Sequence, residues 1–189
     1  STTLNGTFLN CSTLTAIGTG WNVSNVTHFN NVFSGCTNFN GSDVVNWDTS
    51  SGQYMDRMFA EAHYFNQNIG GWNTSSVIQM NNMFLGADRF NQNIGSWNTG
   101  NVTNMREMFH GAIAFNNGGS DSIKNWNTSS VNNIVNLFLG AYAFNQPIND
   151  WDVSSAGSLS ATFGNATSFN QSLSEWDVSN VTDMNSAFS

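Results

Sequence analysis

The chain has 189 residues, of which only 8% are charged, and its 4 lysines and arginines stand against 12 aspartates and glutamates, for a formal net charge of −8. Four basic residues cannot build the positive stripe that binds nucleic-acid phosphates, and an anionic membrane surface would repel the chain. No apolar run in the sequence approaches the roughly 20 residues of a membrane-spanning helix.

Tryptophan recurs at intervals of 25 or 26 residues, with one interval of 29. The positions are Trp21, Trp47, Trp72, Trp97, Trp126, Trp151 and Trp176. A fixed period of this length is typical of a solenoid, in which one short unit stacks on copies of itself. We therefore expect a single domain, 1–189. Its six full units, called units 1 to 6 below, are 21–46, 47–71, 72–96, 97–125, 126–150 and 151–175, between a leading partial unit, 1–20, and a trailing partial unit, 176–189.

Unit 3 illustrates the elements that this pattern predicts. Apolar residues at helical spacing indicate a short helix with one buried face: Val77, Met80, Met83, Phe84 and Ala87. Gly86 lies near the end of that helix, where a left-handed residue is favoured, and the turn at Glu61, the same position of unit 2, should be strained or differently closed. Trp72 and Thr74 alternate with polar residues, as in a short strand with one buried face. The predicted fold class is a right-handed, leucine-rich-repeat-like α/β solenoid of about seven turns, with short parallel strands on one face and short helices on the other.

An asparagine follows the second aromatic residue of each unit. These residues are Asn40, Asn66, Asn91, Asn116, Asn145 and Asn170. Because buried polar groups need partners, we expect a ladder in which each side chain bonds the backbone or its neighbour.

Two units are longer than the rest. Unit 1 has one extra residue around 41–43, and unit 4 has four around 117–121. Both insertions contain Gly-Ser-Asp and precede the predicted strand, so we expect surface bulges at one corner.

The residue after each tryptophan is asparagine or aspartate, which predicts a regular row on the outer face of the strands. The row consists of Asn22, Asp48, Asn73, Asn98, Asn127, Asp152 and Asp177. It is the candidate surface for binding a macromolecule. Its even spacing would also suit an ice crystal, although ice-binding faces are usually richer in threonine and poorer in charge.

Four carboxylates flank the last two tryptophans: Asp150, Asp152, Glu175 and Asp177. If those tryptophans point inward, all four carboxylates point outward on adjacent strands, about 4.8 Å apart between rows and about 6.6 Å apart along a strand. Oxygen-rich clusters suit calcium, so these residues form a candidate calcium site. The alternative is a solvated acidic patch, and no other cofactor is expected.

Two cysteines, Cys11 and Cys36, occupy the same position of adjacent turns. A disulfide is within reach if that position stacks at the strand spacing of about 4.8 Å, and out of reach at a helix spacing of about 8–10 Å. Each cysteine replaces a small buried alanine, so two inert thiols are the other interpretation.

Asn-x-Ser/Thr sequons are frequent. The best-placed acceptors for glycans in a secreted eukaryotic protein are Asn22, Asn25, Asn101 and Asn180. A repeat that requires asparagine and serine at fixed positions also generates sequons by chance.

The sequence carries no catalytic motif. His28, His63 and His110 fall at three different repeat positions in non-neighbouring units, which disfavours a shared metal or a triad. There is no phosphate loop or nucleophile elbow, and a glycosidase-like use of the acidic residues lacks a cleft on a shallow strand face. We do not expect an enzyme.

The run F-N-Q-x-I-x-x-W-[ND]-[VT]-S-x-V-x-x-M-x-x-M-F-x-G-A resembles the repeat of the BspA-like leucine-rich-repeat surface proteins. Residues 66–87 and 91–112 match it almost without gaps, and the resemblance covers nearly the whole chain. It implies an extracellular or cell-surface protein of bacteria or single-celled eukaryotes, commonly thought of as an adhesin, with no enzyme activity.

The expected function is therefore a structural or adhesive module outside the cell, which binds a protein or glycan through its outer polar face. The alternative is a subunit of an extracellular filament, built by end-to-end contacts between copies. Leu4, Phe8 and Phe188 continue the core pattern into both terminal units, where a polar capping turn is usual. That pattern predicts exposed apolar ends, either because the chain is an excerpt of a longer array or because subunits stack head to tail.

Overall fold

The computed structural model describes residues 2–189, and its regular elements are few and short. Strand β1 (Thr2–Thr3) pairs in parallel with strand β2 (Val26–His28). Isolated parallel bridges extend the same line through the later units: His28 to Tyr54, Tyr54 to Gln79, Gln79 to Asn104, Asn104 to Asn133, and Ser158 to Asp183. Every bridged residue lies seven positions after a tryptophan. The parallel pairing therefore occurs at this position. It does not occur at the tryptophan and the residue two positions after it, where the alternation of buried and polar residues predicted a strand.

The segments predicted to be helices are successions of tight turns. No α-helix is assigned within residues 2–189. In unit 3 alternate N–H groups donate to carbonyls of the next unit, at 2.8–3.1 Å, from Met80, Asn82, Phe84 and Gly86 to Asn104, Arg106, Met108 and His110. The N–H groups between them close local turns, as from Met83 to the Met80 carbonyl at 3.2 Å. An α-helix needs every N–H for its own fourth preceding carbonyl, so bonding to the next unit excludes it.

Two residues of each unit take left-handed backbone conformations, which also excludes a helix. In unit 3 they are Asn82, with φ of 57°, and Gly86, with φ of 63°. The left-handed conformation predicted for Gly86 is confirmed. Glu61 at the same position of unit 2 has φ of 57°, so of the two expected alternatives the turn keeps the left-handed, strained conformation. The conformation at Asn82 was not predicted.

Aromatic columns fill the core between successive units. The phenylalanine twelve residues after each tryptophan stacks on its counterpart in the next unit, with centroids 5.3–5.8 Å apart, from Phe8 through Phe33, Phe59, Phe84, Phe109, Phe138 and Phe163 to Phe188. Trp47 to Trp151 form a parallel column with centroids 5.8–6.5 Å apart. All the tryptophans from Trp47 onward are buried, and Trp21 is 39% exposed.

Side-chain ladders satisfy the polar groups beside this core. Each indole N–H from Trp72 to Trp176 donates to a carbonyl of an earlier unit at 2.9–3.1 Å. The predicted asparagine ladder is confirmed, because each Oδ1 from Asn40 to Asn145 accepts the backbone N–H of the next asparagine at 2.8–2.9 Å. Hydrogen bonds therefore fix the register of adjacent units at several positions.

The two insertions build the short 3₁₀ helices of the described chain. The first helix is Ser42–Val44, and the second and third are Asn117–Gly119 and Asp121–Asn125. All three precede a tryptophan at the same corner, which agrees with the bulges predicted there.

Among residues 2–189, no helix is long and apolar enough to cross a membrane.

Candidate binding surface

The predicted outer row is present as a line of exposed Asx turns. In each of its seven residues the side-chain Oδ1 accepts the backbone N–H two positions further on, at 3.0–3.2 Å. The members are Asn22, Asp48, Asn73, Asn98, Asn127, Asp152 and Asp177, and all are exposed. This shared turn explains why only asparagine and aspartate occupy the position, since their short side chains can close it. The second polar atom of each side chain makes no hydrogen bond within residues 2–189, so it is free for a ligand.

The turn also sets the charge of the row. Hydrogen bonds from the side chain and backbone of Ser50 lower the pKa of Asp48, and Ser154 and Ser179 do the same for Asp152 and Asp177. The three carboxylates are therefore anionic at neutral pH, and the central positions of the row, from unit 3 to unit 5, are neutral amides. A partner of the central row meets hydrogen-bonding groups without charge.

A second polar row runs three positions further along each unit and is already paired. Its side chains donate to backbone carbonyls of the preceding unit at 2.7–3.3 Å, from Ser51, Ser76, Asn101, Ser130, Ser155 and Asn180. Two of the glycosylation candidates, Asn101 and Asn180, thus use the amide nitrogen that would carry a glycan. The side-chain nitrogens of Asn22 and Asn25 make no hydrogen bond in the described chain, so these two remain the accessible acceptors.

The candidate calcium site has no support in the geometry. Within residues 2–189 no three His, Cys, Asp or Glu side chains form a group that could hold a metal ion. Asp152 and Asp177 are engaged in their Asx turns, and Asp150 and Glu175 are exposed. The charge of Asp177 opposes the lowering of the Asp152 pKa by Ser154, and the calcium site stays a prediction.

The two cysteines are free thiols, so the structure has no Cys11–Cys36 disulfide. Cys11 is exposed, and Cys36 is buried with its Sγ donating to the Phe8 carbonyl at 2.8 Å. Burial raises the pKa of the Cys36 thiol to about 11. Since the thiolate is the reactive form, Cys36 is an inert core residue at neutral pH.

One charged cluster was missed in the sequence. His63 of unit 2 places Nδ1 3.0 Å from a carboxylate oxygen of Asp88 in unit 3, and Nε2 3.6 Å from a carboxylate oxygen of Glu61. Beside it, the guanidinium of Arg89 lies 4.1 Å from the centre of the Tyr64 ring. The signal was available, because His63 and Asp88 both lie sixteen residues after a tryptophan and stack as neighbours. The cluster joins units 2 and 3.

One comparison with known proteins gave a match. The model of a family described as "Mycoplasma protein of unknown function, DUF285" matches residues 2–121 and again residues 96–189. The two matches overlap, and each spans several units, as expected for a repeat family. No curated protein and no solved structure matched the chain.

Proposed function

The chain belongs to the DUF285 family, and from that membership together with its exposed Asx row we propose that it is a repeat module of an extracellular or cell surface, with a structural or adhesive role. The observation that carries the proposal is the row itself: seven equivalent side chains, all exposed, each with one unbonded polar atom. Repetition at constant spacing suits a long partner with its own repeating groups. We propose no catalytic activity.

The composition of the surface supports a neutral macromolecular partner, a protein or a glycan. Only 8% of the residues are charged, so recognition must rely on hydrogen bonds and on the regular placement of amides and hydroxyls. The central part of the row carries Asn73, Asn98 and Asn127, and no carboxylate interrupts it. Several weak contacts at equal spacing add up when one partner spans them.

We also propose that the units form a solenoid of the BspA-like leucine-rich-repeat kind. The repeated order of tryptophan, apolar turn segment and Phe-Asn supports this assignment, and so do the stacked columns. In this chain turns bonded to the next unit take the place of the helices of other leucine-rich repeats.

The test is binding to immobilised candidate surfaces: fibronectin, collagen, mucin and a neutral polysaccharide. Asn73→Asp, Asn98→Asp and Asn127→Asp are combined in one variant, which keeps the Oδ1 acceptor of each turn and replaces only the exposed amide. We expect the wild type to bind at least one surface and the triple variant to lose that binding. Thr167→Ala with Ser168→Ala, two exposed positions away from the row, serves as the control and should bind like the wild type. Equal binding by the triple variant, or no binding by the wild type, rejects the proposal.

A second candidate function is a subunit of an extracellular filament, assembled by end-to-end contacts between copies. Phe188 is 64% exposed although it stacks on Phe163 at 5.3 Å, and Met184 is 46% exposed. A further unit, on this chain or on another, would cover them. Electron microscopy of the purified chain at high concentration distinguishes the two candidates: filaments support this function, and dispersed particles exclude it for this chain.

A further inference from the structure

The corner of unit 1 contains a cleft that the outer row does not include. It has a volume of about 350 Å³ and lies between segment 18–21 and segment 42–47. Its walls include Thr19, Trp21, Ser42, Asp43, Asn46 and Trp47. The first 3₁₀ helix, Ser42–Val44, forms one side, so the extra residue of unit 1 shapes the cleft. The volume lies at the lower end of the range of small-molecule sites, about 300–1,000 Å³.

Trp21 gives the cleft an exposed aromatic wall. It is 39% exposed, whereas Trp47 is 7% exposed and the later tryptophans are similarly buried. The indole N–H of Trp21 donates to the Ile17 carbonyl at 3.3 Å, and Phe8 packs edge-on against the ring with centroids 5.4 Å apart. These contacts hold the orientation of the ring while part of its surface stays open. An aromatic surface of this kind packs against the C–H groups of a ligand.

Hydrogen-bonding groups surround that ring. Within residues 2–189 the side chains of Thr19, Ser42 and Asn46 make no hydrogen bond. One carboxylate oxygen of Asp43 accepts the Ile17 N–H at 3.0 Å, and the other has no partner in the described chain. The cleft therefore offers two hydroxyls, one amide and one carboxylate oxygen within reach of one ligand.

We propose that this cleft binds a neutral saccharide unit, with a C–H face of the sugar on Trp21 and its hydroxyls bonded to Asp43, Asn46 and Ser42. The charges favour this class, because none of the four basic residues lines the cleft and the single carboxylate repels an anion. An apolar ligand would leave the polar walls without partners, which is costly. The site is separate from the Asx row, so it stands or falls independently of the proposed function.

The chain contains its own comparison site. A second cleft, of about 440 Å³, lies at the same corner beside the insertion of unit 4. Its walls include Asn68, Asn93, Ser96, Ser122 and Asn125, and no aromatic ring lines it. Its polar side chains are largely paired within the chain, as Ser96 Oγ donates to the Gly70 carbonyl at 2.7 Å and Ser122 Oγ to Asn93 Oδ1 at 2.8 Å. A sugar that needs the aromatic wall and unbonded polar groups should therefore bind only the first cleft.

The experiment is a ¹H–¹⁵N NMR titration of the labelled chain with glucose, galactose, mannose and N-acetylglucosamine at millimolar concentrations. We expect at least one sugar to shift the indole signals of Trp21 and Trp47 in a saturable way, while the amide signals around Asn125 stay unchanged. Asn46→Ala removes an exposed side chain without an intramolecular bond, so it should fold normally and weaken binding about five- to tenfold, as loss of one ligand hydrogen bond does. Trp21→Ala should abolish binding. Asn125→Ala at the second cleft is the matched control and should bind like the wild type.

Three outcomes overturn the proposal. The first is the absence of any saturable shift of the Trp21 indole with all four sugars. The second is unchanged affinity in Asn46→Ala and Trp21→Ala. The third is tighter binding of the anionic sugar N-acetylneuraminic acid than of any neutral sugar, because Asp43 should exclude it.

Discussion

Replacing Trp97 by alanine tests whether the tryptophan column holds the array together. Trp97 is 3% exposed and lies between Trp72 and Trp126, with both centroid distances at 6.5 Å. Its indole N–H donates to the Ile69 carbonyl at 3.0 Å. Removing a buried tryptophan costs about 3–5 kcal/mol through the cavity that it leaves. Because the Ile69 carbonyl also loses its donor, we expect the upper part of that range.

Trp21 provides the matched comparison for this experiment. It is 39% exposed, so Trp21→Ala forfeits less buried area and should cost about 1–2 kcal/mol. In thermal unfolding followed by circular dichroism, about 5 kcal/mol corresponds to a fall in Tm of roughly 10–20 °C for a chain of this size. The Tm of Trp97→Ala should therefore fall several times further than that of Trp21→Ala. Equal falls in the two variants would refute the argument that stacking between units carries the stability.

Three further predictions concern single positions. Burial raises the pKa of Asp56, although hydrogen bonds from the backbone of Asn81 and from its own backbone act in the opposite direction. The stability that the protonated form contributes is therefore lost as the pH rises through the folded-state pKa. We expect Asp56→Asn to raise the Tm at pH 7 and to lose this advantage on acidification. A methyl group on Gly95 would overlap Ser122, whereas one on Gly71 meets no atom within 4 Å. In urea denaturation Gly95→Ala should therefore lower the free energy of unfolding by about 1–3 kcal/mol, and Gly71→Ala should leave it nearly unchanged. A thiol reagent should modify Cys11 in the folded chain and leave the buried Cys36 unmodified until the chain unfolds. The first prediction is contradicted if Asp56→Asn and the wild type have equal Tm values at pH 7. The second is contradicted by equal unfolding midpoints of the two glycine variants, and the third by rapid labelling of both thiols in the folded chain.

Much of the core could be predicted because periodicity reports burial directly. Phe84, Trp97 and their equivalents recur at one distance in every unit, and only a stack of units buries such columns. Gly86 could be assigned a left-handed conformation because the same position holds glycine or asparagine in most units.

The local backbone could not be predicted in the same way. Apolar residues three and four apart occur on a helix and equally along turns that close every four residues, so Met80, Met83 and Phe84 do not distinguish the two. The left-handed residue at Asn82 gives only a weak composition signal, because its position holds asparagine in units 1, 3 and 5 but Arg57 in unit 2, Glu107 in unit 4 and Ala161 in unit 6. Helix and turn differ in which carbonyl accepts each N–H, and here the accepting carbonyls of alternate N–H groups belong to the next unit.

The candidate surface was found from the sequence, but its chemistry was not. The row of Asn and Asp was visible as a column, whereas the Asx turns that occupy one oxygen of each side chain required coordinates. The cleft beside Trp21 had no sequence signal beyond the extra residue of unit 1. The ring of Trp21 is 39% exposed, whereas the six later tryptophans are buried.

The most direct test of the proposed binding surface is an NMR spectrum of the labelled chain, recorded with a partner that the binding test has identified. It compares the side-chain signals of two sets of asparagines. The row residues Asn73, Asn98 and Asn127 are exposed on the outer face, whereas the ladder residue Asn91 is half-buried and its Oδ1 accepts the backbone N–H of Asn116 at 2.8 Å. Binding through the outer row should shift or broaden the side-chain signals of the row residues and leave the ladder signals in place. Shifts confined to the ladder or to the terminal units, with the row signals unchanged, would contradict the account.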